Sequence, residues 1–346
     1  MTGHNIAIVG CGGVSAMHFA GYAAHPERVR VVAACDPVAE RREWAEREHG
    51  VPRTFASVQD LLGYDGWDVA VVCTPSHVRE SAVAALAGGG KHVLTEKPLS
   101  DTYEEASRLV TLCAEAGVTL AVNQNFRDHY AFGIAAKLIA AGEIGSVLGI
   151  SQRDLMFRQD RGWRTGMKRH AVSVMGVHWL DGFRQLVDGN ATRVWAQTYS
   201  SPAIDCAGET DAFVQLEFGE IPVSYVQSFS SRENATETVV IGERGTLRFD
   251  YGTLTRITAD TTVEVANPHA GRGKPESTYL SLSRLLDAIE AGKEPSNSGH
   301  DNLKTIALLT AVYQSAAERR PIELKEGLPE NLRQPENPRQ PKNPGE

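Results

Sequence analysis

The segment Gly10-Cys11-Gly12-Gly13-Val14-Ser15 follows an apolar run, Asn5-Ile6-Ala7-Ile8-Val9, and a second apolar run, Val29 to Cys35, ends at Asp36. Strand, glycine turn, helix, strand and acid in this order have the spacing of a dinucleotide-binding βαβ unit, with the acid about 20 residues beyond the turn. Gly10 permits a tight turn, and Gly12 and Gly13 let backbone approach a pyrophosphate. Val14 and Ser15 are expected at the cofactor too, and the sequence turns helical after His18, so the helix N-terminus offers unpaired N–H groups and a positive dipole end to phosphate. Ser15 stands where the third glycine of the pattern falls and is small enough for close helix–strand packing. The Asp36 carboxylate can accept hydrogen bonds from a ribose diol. Glycine triplets alone occur in many plain turns; here both strands and the acid are in register with this one.

A second group of residues could move protons. Lys97, in Glu96-Lys97-Pro98, directly follows the apolar run His92-Val93-Leu94-Thr95. Ligands of open parallel sheets bind at the carboxyl ends of the strands. An ammonium there can donate to a hydroxyl or a developing alkoxide, and burial would let it exchange a proton. Position alone also fits a surface lysine. His178 sits in an expected helix and can take up a proton near neutral pH. Asp181, one helical turn on, can orient that imidazole or serve a helix or domain contact. Arg158, Arg161, Arg164, Lys168, Arg169 and His170 form a basic stretch with Trp163 inside it. Such a loop can hold a phosphate or carboxylate with Trp163 over a sugar face, or it can be a solvated basic loop.

The elements that must position these residues alternate. Helices are expected at 37–49, 58–62, 76–86 and 102–116, between strands near 53–55, 67–73, 92–95 and 119–122. The run Trp67 to Cys73 is apolar throughout, as in a parallel sheet covered on both faces. The fold expected is α/β: an N-terminal Rossmann doubly wound parallel sheet over residues 1–124. From Asn123 the pattern changes. Longer strands are expected at 147–157, 191–199, 211–218, 222–230, 237–241 and 246–250, with helices at 129–141 and 170–187. They suggest a C-terminal α+β domain over 125–325, built on a largely antiparallel open sheet. Late helices at 277–291 and 302–319 are expected to pack back between the domains. Residues 326–346 contain a proline-rich near-repeat, Glu330 to Pro335 and Glu336 to Pro341, expected as a flexible tail.

The chain has 346 residues, a formal net charge of −8 and five cysteines. The length allows two domains with substantial cores. The negative charge argues against broad attraction to nucleic acid or an anionic membrane surface. No apolar run reaches the roughly 20 residues of a membrane span. The first residues lead straight into a strand without a signal-peptide pattern. The scattered, odd-numbered cysteines argue against a disulfide framework and show no zinc spacing, so no metal site is expected and a cytoplasmic location is. Cys11 reads as a small turn residue rather than a reactive thiol.

Several segments together resemble the glucose–fructose oxidoreductase, inositol dehydrogenase and rhizopine-catabolism family. They are the glycine turn through His18, Cys35-Asp36-Pro37, Thr74-Pro75-Ser76-His77, Gly90 through Leu99, Gly142-Glu143-Ile144-Gly145 and Gly176-Val177-His178-Trp179-Leu180-Asp181. The match spans about residues 4–325, and Glu96-Lys97-Pro98 is its most specific part. The resemblance implies NAD(P)-linked oxidation or reduction of a sugar, cyclitol or nucleotide-linked sugar, in a homodimer or homotetramer. It implies cofactor contacts from Thr74, Pro75, His77, Glu96, Lys97 and Asn125. It also implies substrate contacts from Lys97, Arg127, Trp163, Arg164 and His178, with Lys97 and His178 catalytic. One departure stands out: Val174 occupies the place where family members commonly carry an aspartate, one turn before the histidine. Asp36 favours NAD, because a carboxylate repels a 2′-phosphate; Arg41 and Arg42 nearby leave NADP open. Two other readings compete with the dehydrogenase: a non-net-redox, glycosidase-type enzyme on bound NAD, and a dinucleotide-binding regulator without turnover.

Overall fold

The structure, a computed structural model, describes residues 3–332. In chain order its first half runs β1 (His4–Val9), α1 (Ser15–Ala23), β2 (Val29–Cys35), α2 (Ala39–His49), β3 (Thr54–Phe55), α3 (Val58–Leu62), β4 (Val69–Val72), α4 (Ser76–Gly88), β5 (His92–Glu96), α5 (Tyr103–Glu115) and β6 (Leu120–Asn123). The six strands form one parallel sheet in the order β3-β2-β1-β4-β5-β6. The order reverses between β1 and β4, which opens a crevice at their carboxyl ends. All four residues of β4 are buried, as a strand covered on both faces requires. Gly10 has φ +94°, and a Cβ there would lie 3.0 Å from the Cys73 carbonyl carbon. Only glycine fits that corner.

The second half runs α6 (Tyr130–Ala140), β7 (Val147–Phe157), α7 (Val177–Leu186), β8 (Arg193–Tyr199), β9 (Asp211–Phe218), β10 (Ile221–Ser228), β11 (Ser230–Gly242), β12 (Thr246–Phe249), β13 (Leu254–Ile257), β14 (Thr262–Glu264), α8 (Gly273–Ala291), α9 (Gly299–Glu318), β15 (Ile322–Lys325) and β16 (Leu328–Pro329). Ten strands form one sheet, β14-β13-β12-β11-β7-β10-β9-β8-β15-β16. Its pairings are antiparallel except β10 with β7. Burial alternates along β9, with Ala212, Val214, Leu216 and Phe218 inward. They meet Phe132, Phe183, Leu308 and Val312 in one core, and the opposite face stays open. α8 sends Tyr279, Leu282, Leu285 and Leu286 into the core of the parallel sheet. α9 serves both halves, through Ile306 to the first and Leu308, Leu309, Ala311 and Val312 to the second. No helix among the described residues is long and apolar enough to cross a membrane.

Four local expectations are corrected. The helix expected at 170–187 has a π-helical turn, Val172–Gly176, before α7. A Cβ on Gly176 would meet Val172 Cγ1 and the Tyr225 hydroxyl. β11 starts at Ser230, seven residues before the expected 237, and crosses an irregularity between Ser230 and Ala235. Its first half is polar and half-exposed, so it carries no apolar signal. The short strands β13 to β16 were not foreseen. Residues 326–332, the start of the expected tail, are structured: Gly327 turns at φ +80°, β16 pairs with β15, and a 3₁₀ turn follows at Glu330–Leu332. The rest of the proline repeat lies outside the described residues.

Candidate active site

A cleft of about 810 Å³ follows the carboxyl edge of the parallel sheet from Asp36 to Lys97. Gly12 and Gly13 line it, and a Cβ at either would meet nothing within 4 Å. The N-terminus of α1 opens at the cleft without a side-chain cap, with Ser15 N bound to Gly12 O and Met17 N to Val14 O. Ser15 is fully buried and its Oγ donates to Gly12 O at 2.6 Å, which fixes the turn. Asp36 is buried at the end of β2. Its two carboxylate oxygens accept from Cys11 N (2.8 Å) and Val38 N (2.9 Å). Arg41 lines the cleft 3.6 Å from Asp36, whereas Arg42 is turned to the Asp36 and Pro37 carbonyls. Thr74 and Pro75 line the cleft, and Thr74 Oγ1 is buried with no partner. An uncapped helix start, two open glycines, a fixed carboxylate and an orphaned hydroxyl fit a dinucleotide. His77 does not line the cleft; it is exposed, 5.9 Å from the Trp163 ring. Burial pushes the Cys11 thiol up to about 12, which suits an inert turn residue.

Lys97 leaves the end of β5, and its Nζ donates to Val174 O at 2.8 Å. Burial lowers its ammonium to about 8; Glu96 opposes that, while Arg164, Arg158 and Arg79 add to it. Arg79, itself buried, donates to the carbonyls of Thr74, Pro98 and Leu99 and so fixes the corner after Lys97. Glu96 lines the cleft but is occupied by His18, Asn123 and the Lys97 N–H. Sequence reasoning gave His18, Asn123 and Arg79 no part in the site.

His178 is buried on α7, stacked on Phe126 at 4.0 Å and 11°, and its Nδ1 has no partner. Burial drives its pKa well below the usual histidine value, and Lys97, Lys274, His129 and Arg158 push the same way. An imidazole held neutral can accept or donate a hydrogen bond but holds a proton poorly at neutral pH.

Two expectations are redirected by ion pairing. Asp181 does not orient His178. It takes Arg127 Nε and Nη2 at 2.7 Å each and Thr305 Oγ1 at 2.7 Å. Arg127, expected at the substrate, is therefore committed to Asp181, Asp301 and the Ser296 carbonyl and does not line the cleft. Asn125 is also absent from the cleft wall; its amide lies 3.5 Å from Ser277 Oγ. The basic stretch divides. Arg158 and His170 both bind Asp160, and Arg169 donates to Asp101 O. Trp163 and Arg164 line the cleft opposite the parallel sheet, beside Met167, Ser173 and Val174.

This sheet and cleft define an NAD(P)-dependent oxidoreductase built from a Rossmann sheet and an open, mostly antiparallel sheet. Residues 4–124 match the model of the oxidoreductase family with NAD-binding Rossmann fold, and residues 132–248 match the GFO/IDH/MocA C-terminal domain. The chain belongs to the GFO/IDH/MocA oxidoreductase family. It is 30% identical to a D-apiose dehydrogenase of Paraburkholderia graminis, over 92% of this chain and 89% of that one. It is 26% identical to a 1,5-anhydro-D-fructose reductase of Ensifer adhaerens, over 86% and 92%. The WlbA dehydrogenase from Bordetella pertussis, solved with NADH and UDP-GlcNAcA, superposes with a TM-score of 0.80 at 26% identity, covering 93% and 99%.

Proposed function

We propose that this enzyme interconverts a secondary alcohol and a ketone on a sugar-like polyol, free or nucleotide-linked, with Lys97 as the proton-transfer group. The observation that carries this is the place of Lys97, at the end of β5 on the cleft it shares with Gly12, Gly13 and Asp36, its Nζ held 2.8 Å from Val174 O; burial there lowers its ammonium to about 8. Bound nicotinamide supplies hydride acceptance or donation. In oxidation, neutral Lys97 takes the hydroxyl proton; in reduction, its ammonium returns one to the carbonyl oxygen. The Val174 carbonyl aims the amine. His178, kept neutral, does not line the cleft wall; buried against Phe126 with an unpartnered Nδ1, it is assigned to orient the reacting oxygen by hydrogen bonding from behind that wall. Trp163 and Arg164 hold the sugar from the opposite wall. NAD(H) is preferred to NADP(H) because the Asp36 carboxylate repels a 2′-phosphate. The sugar-like substrate is supported by the two curated relatives, which are named for apiose and anhydrofructose chemistry. The test is a panel of sugars, cyclitols and keto-sugars, free and nucleotide-linked, followed by nicotinamide absorbance. Turnover of at least one secondary alcohol or its ketone is expected; a panel with no turnover by enzyme that binds NAD+ rejects the proposal.

Self-association into dimers or tetramers belongs to the same proposal. The open face of the ten-stranded sheet carries Trp195, Tyr199 and Phe213, each at least 40% exposed. Tyr199 and Phe213 pack edge to face across β8 and β9. A second copy of this chain would cover them.

A further inference from the structure

Glu96 is 6% exposed, yet it lines the cleft beside Lys97. A buried carboxylate needs partners, and this one has them. Its Oε1 lies 2.8 Å from His18 Nε2 and accepts from Asn123 Nδ2 at 2.7 Å. Its Oε2 accepts from Lys97 N at 3.2 Å. His18 is fully buried, and its Nδ1 lies 2.8 Å from the Tyr22 hydroxyl. One tautomer satisfies the whole line: Tyr22 O–H donates to Nδ1, and Nε2–H donates to Glu96. The line runs from α1 to the end of β5, and the proton transfer proposed above makes no use of it.

Val174 brings no carboxylate to Lys97, only a carbonyl. The charged and titratable groups that act on Lys97 come from every neighbouring element: Glu96 from β5, Arg79 from α4, Arg158 and Arg164 from the segment after β7, and His178 from α7. Among these, Glu96 is the one anion. The groups around Glu96 itself are His18, Tyr22, Cys73, Asn123, Arg79 and Lys97. Burial opposes its charge, but the His18 and Asn123 hydrogen bonds and the nearby positive charges hold it at about 2. It is therefore ionised throughout the range in which Lys97 titrates.

We propose that Glu96 is a positioning residue for the reaction: the fixed counter-charge, locked by His18 and Asn123, that keeps the proton affinity of Lys97 within the working range where no aspartate stands at 174. This rests on the reading of Lys97 as the proton-transfer group. Without the Glu96 charge, Lys97 keeps the Val174 carbonyl as a hydrogen-bond acceptor but loses the anion that opposes burial and the nearby arginines.

The test reads Lys97 directly and needs no substrate. Trace acetylation of the full chain with acetic anhydride across pH, followed by peptide mass spectrometry, gives the midpoint of the amine. A wild-type midpoint near 8 is expected. Glu96→Gln should lower it by about one pH unit or more, the effect of removing a close opposite charge. Glu96→Asp, which keeps the charge, should leave it nearer to wild type than to Glu96→Gln. A midpoint unchanged in Glu96→Gln that still binds NAD+ overturns the proposal. If Glu96→Gln does not fold, wild-type protein carries the test. Its Glu96 carboxyl carbon, 13C-labelled and assigned by its loss in Glu96→Asp, should shift with the Lys97 midpoint. No step there overturns the proposal. Failure of the underlying reading looks different: Lys97→Ala would turn over the substrate panel at near wild-type rate, whatever the labelling shows.

Discussion

At the residue scale the proposed chemistry rests on one amine and one imidazole whose environments push both toward their neutral forms. The two differ in range. Burial lowers the Lys97 ammonium to about 8, within reach of neutral pH, whereas burial and the nearby positive charges hold His178 well below the usual histidine value. Lys97→Ala should therefore lower kcat by about 10²- to 10⁴-fold, the usual worth of a positioned acid or base. Its dissociation constant for NAD+ should stay within a few-fold of wild type. Near-normal turnover would remove Lys97 from the chemistry. In the oxidative direction the wild-type rate should rise with pH through about 8, because the neutral amine is the acceptor. His178→Asn should reduce the rate yet keep that limb in place. A limb that vanishes with His178 would move the proton transfer to the imidazole. Lys97 was singled out by the resemblance of Glu96-Lys97-Pro98; the glycine turn and Asp36, which line the cleft, were legible because their types and spacing are local. The partners of His18 and Arg127 were not, since Glu96 is 78 residues from His18 and Asp181 is 54 from Arg127. The family resemblance alone placed Arg127 at the substrate; folding gives it a buried carboxylate.

At the element scale, the parallel strands were readable because burial on both faces leaves a continuous apolar run. The inward positions of β9 were readable from strict alternation. The first half of β11 was not, because Ser230 to Thr236 is polar and its pairing depends on β7, distant in sequence. The π-helical turn was hidden too, since its residues are as apolar as those of an ordinary helix. That turn puts the Val174 carbonyl on Lys97, and α7 beyond it carries Asp181 into a shared cluster with Arg127, Arg184, Asp301 and Thr305. The cluster joins the turn after β6 to α7 and the start of α9, so it holds the His178 helix against the rest of the molecule. Breaking a buried pair strands its partner's charge. Asp181→Ala should cost about 3 to 5 kcal/mol in urea unfolding; a loss near zero would mean that Asp301 alone suffices for both arginines. Asp301 sets the pH sign. Burial would raise its pKa, but Arg127 and Arg184 hold it below the ordinary value. Its contribution is thus full above the ordinary carboxylate range and is lost as pH falls through the depressed folded value. Asp301→Asn should flatten the acid side of the stability curve relative to wild type.

At the scale of the whole molecule, two helices late in the chain make the halves one body. α8 fills the core of the parallel sheet, and α9 divides its apolar face between both cores. That arrangement leaves one large surface without a covering layer, the outer face of the ten-stranded sheet. Trp195, Tyr199 and Phe213 lie there on adjacent strands, 40%, 53% and 50% exposed. Clustered aromatics on an open sheet are the mark of an association surface. A charge at the centre of such a surface would be stripped of water on assembly without a partner, which costs several kcal/mol. The same charge on a monomer faces solvent and leaves the inward core untouched. Phe213→Asp should therefore sediment as a smaller species than wild type at equal concentration while keeping its melting temperature within a few degrees. Gln215→Asp, on the same face of β9, is the control for position against aromatic loss. Wild type that sediments as a monomer rejects the assembly. Wild type that assembles, with Phe213→Asp unchanged, moves the interface off this face and leaves the three aromatics to another partner.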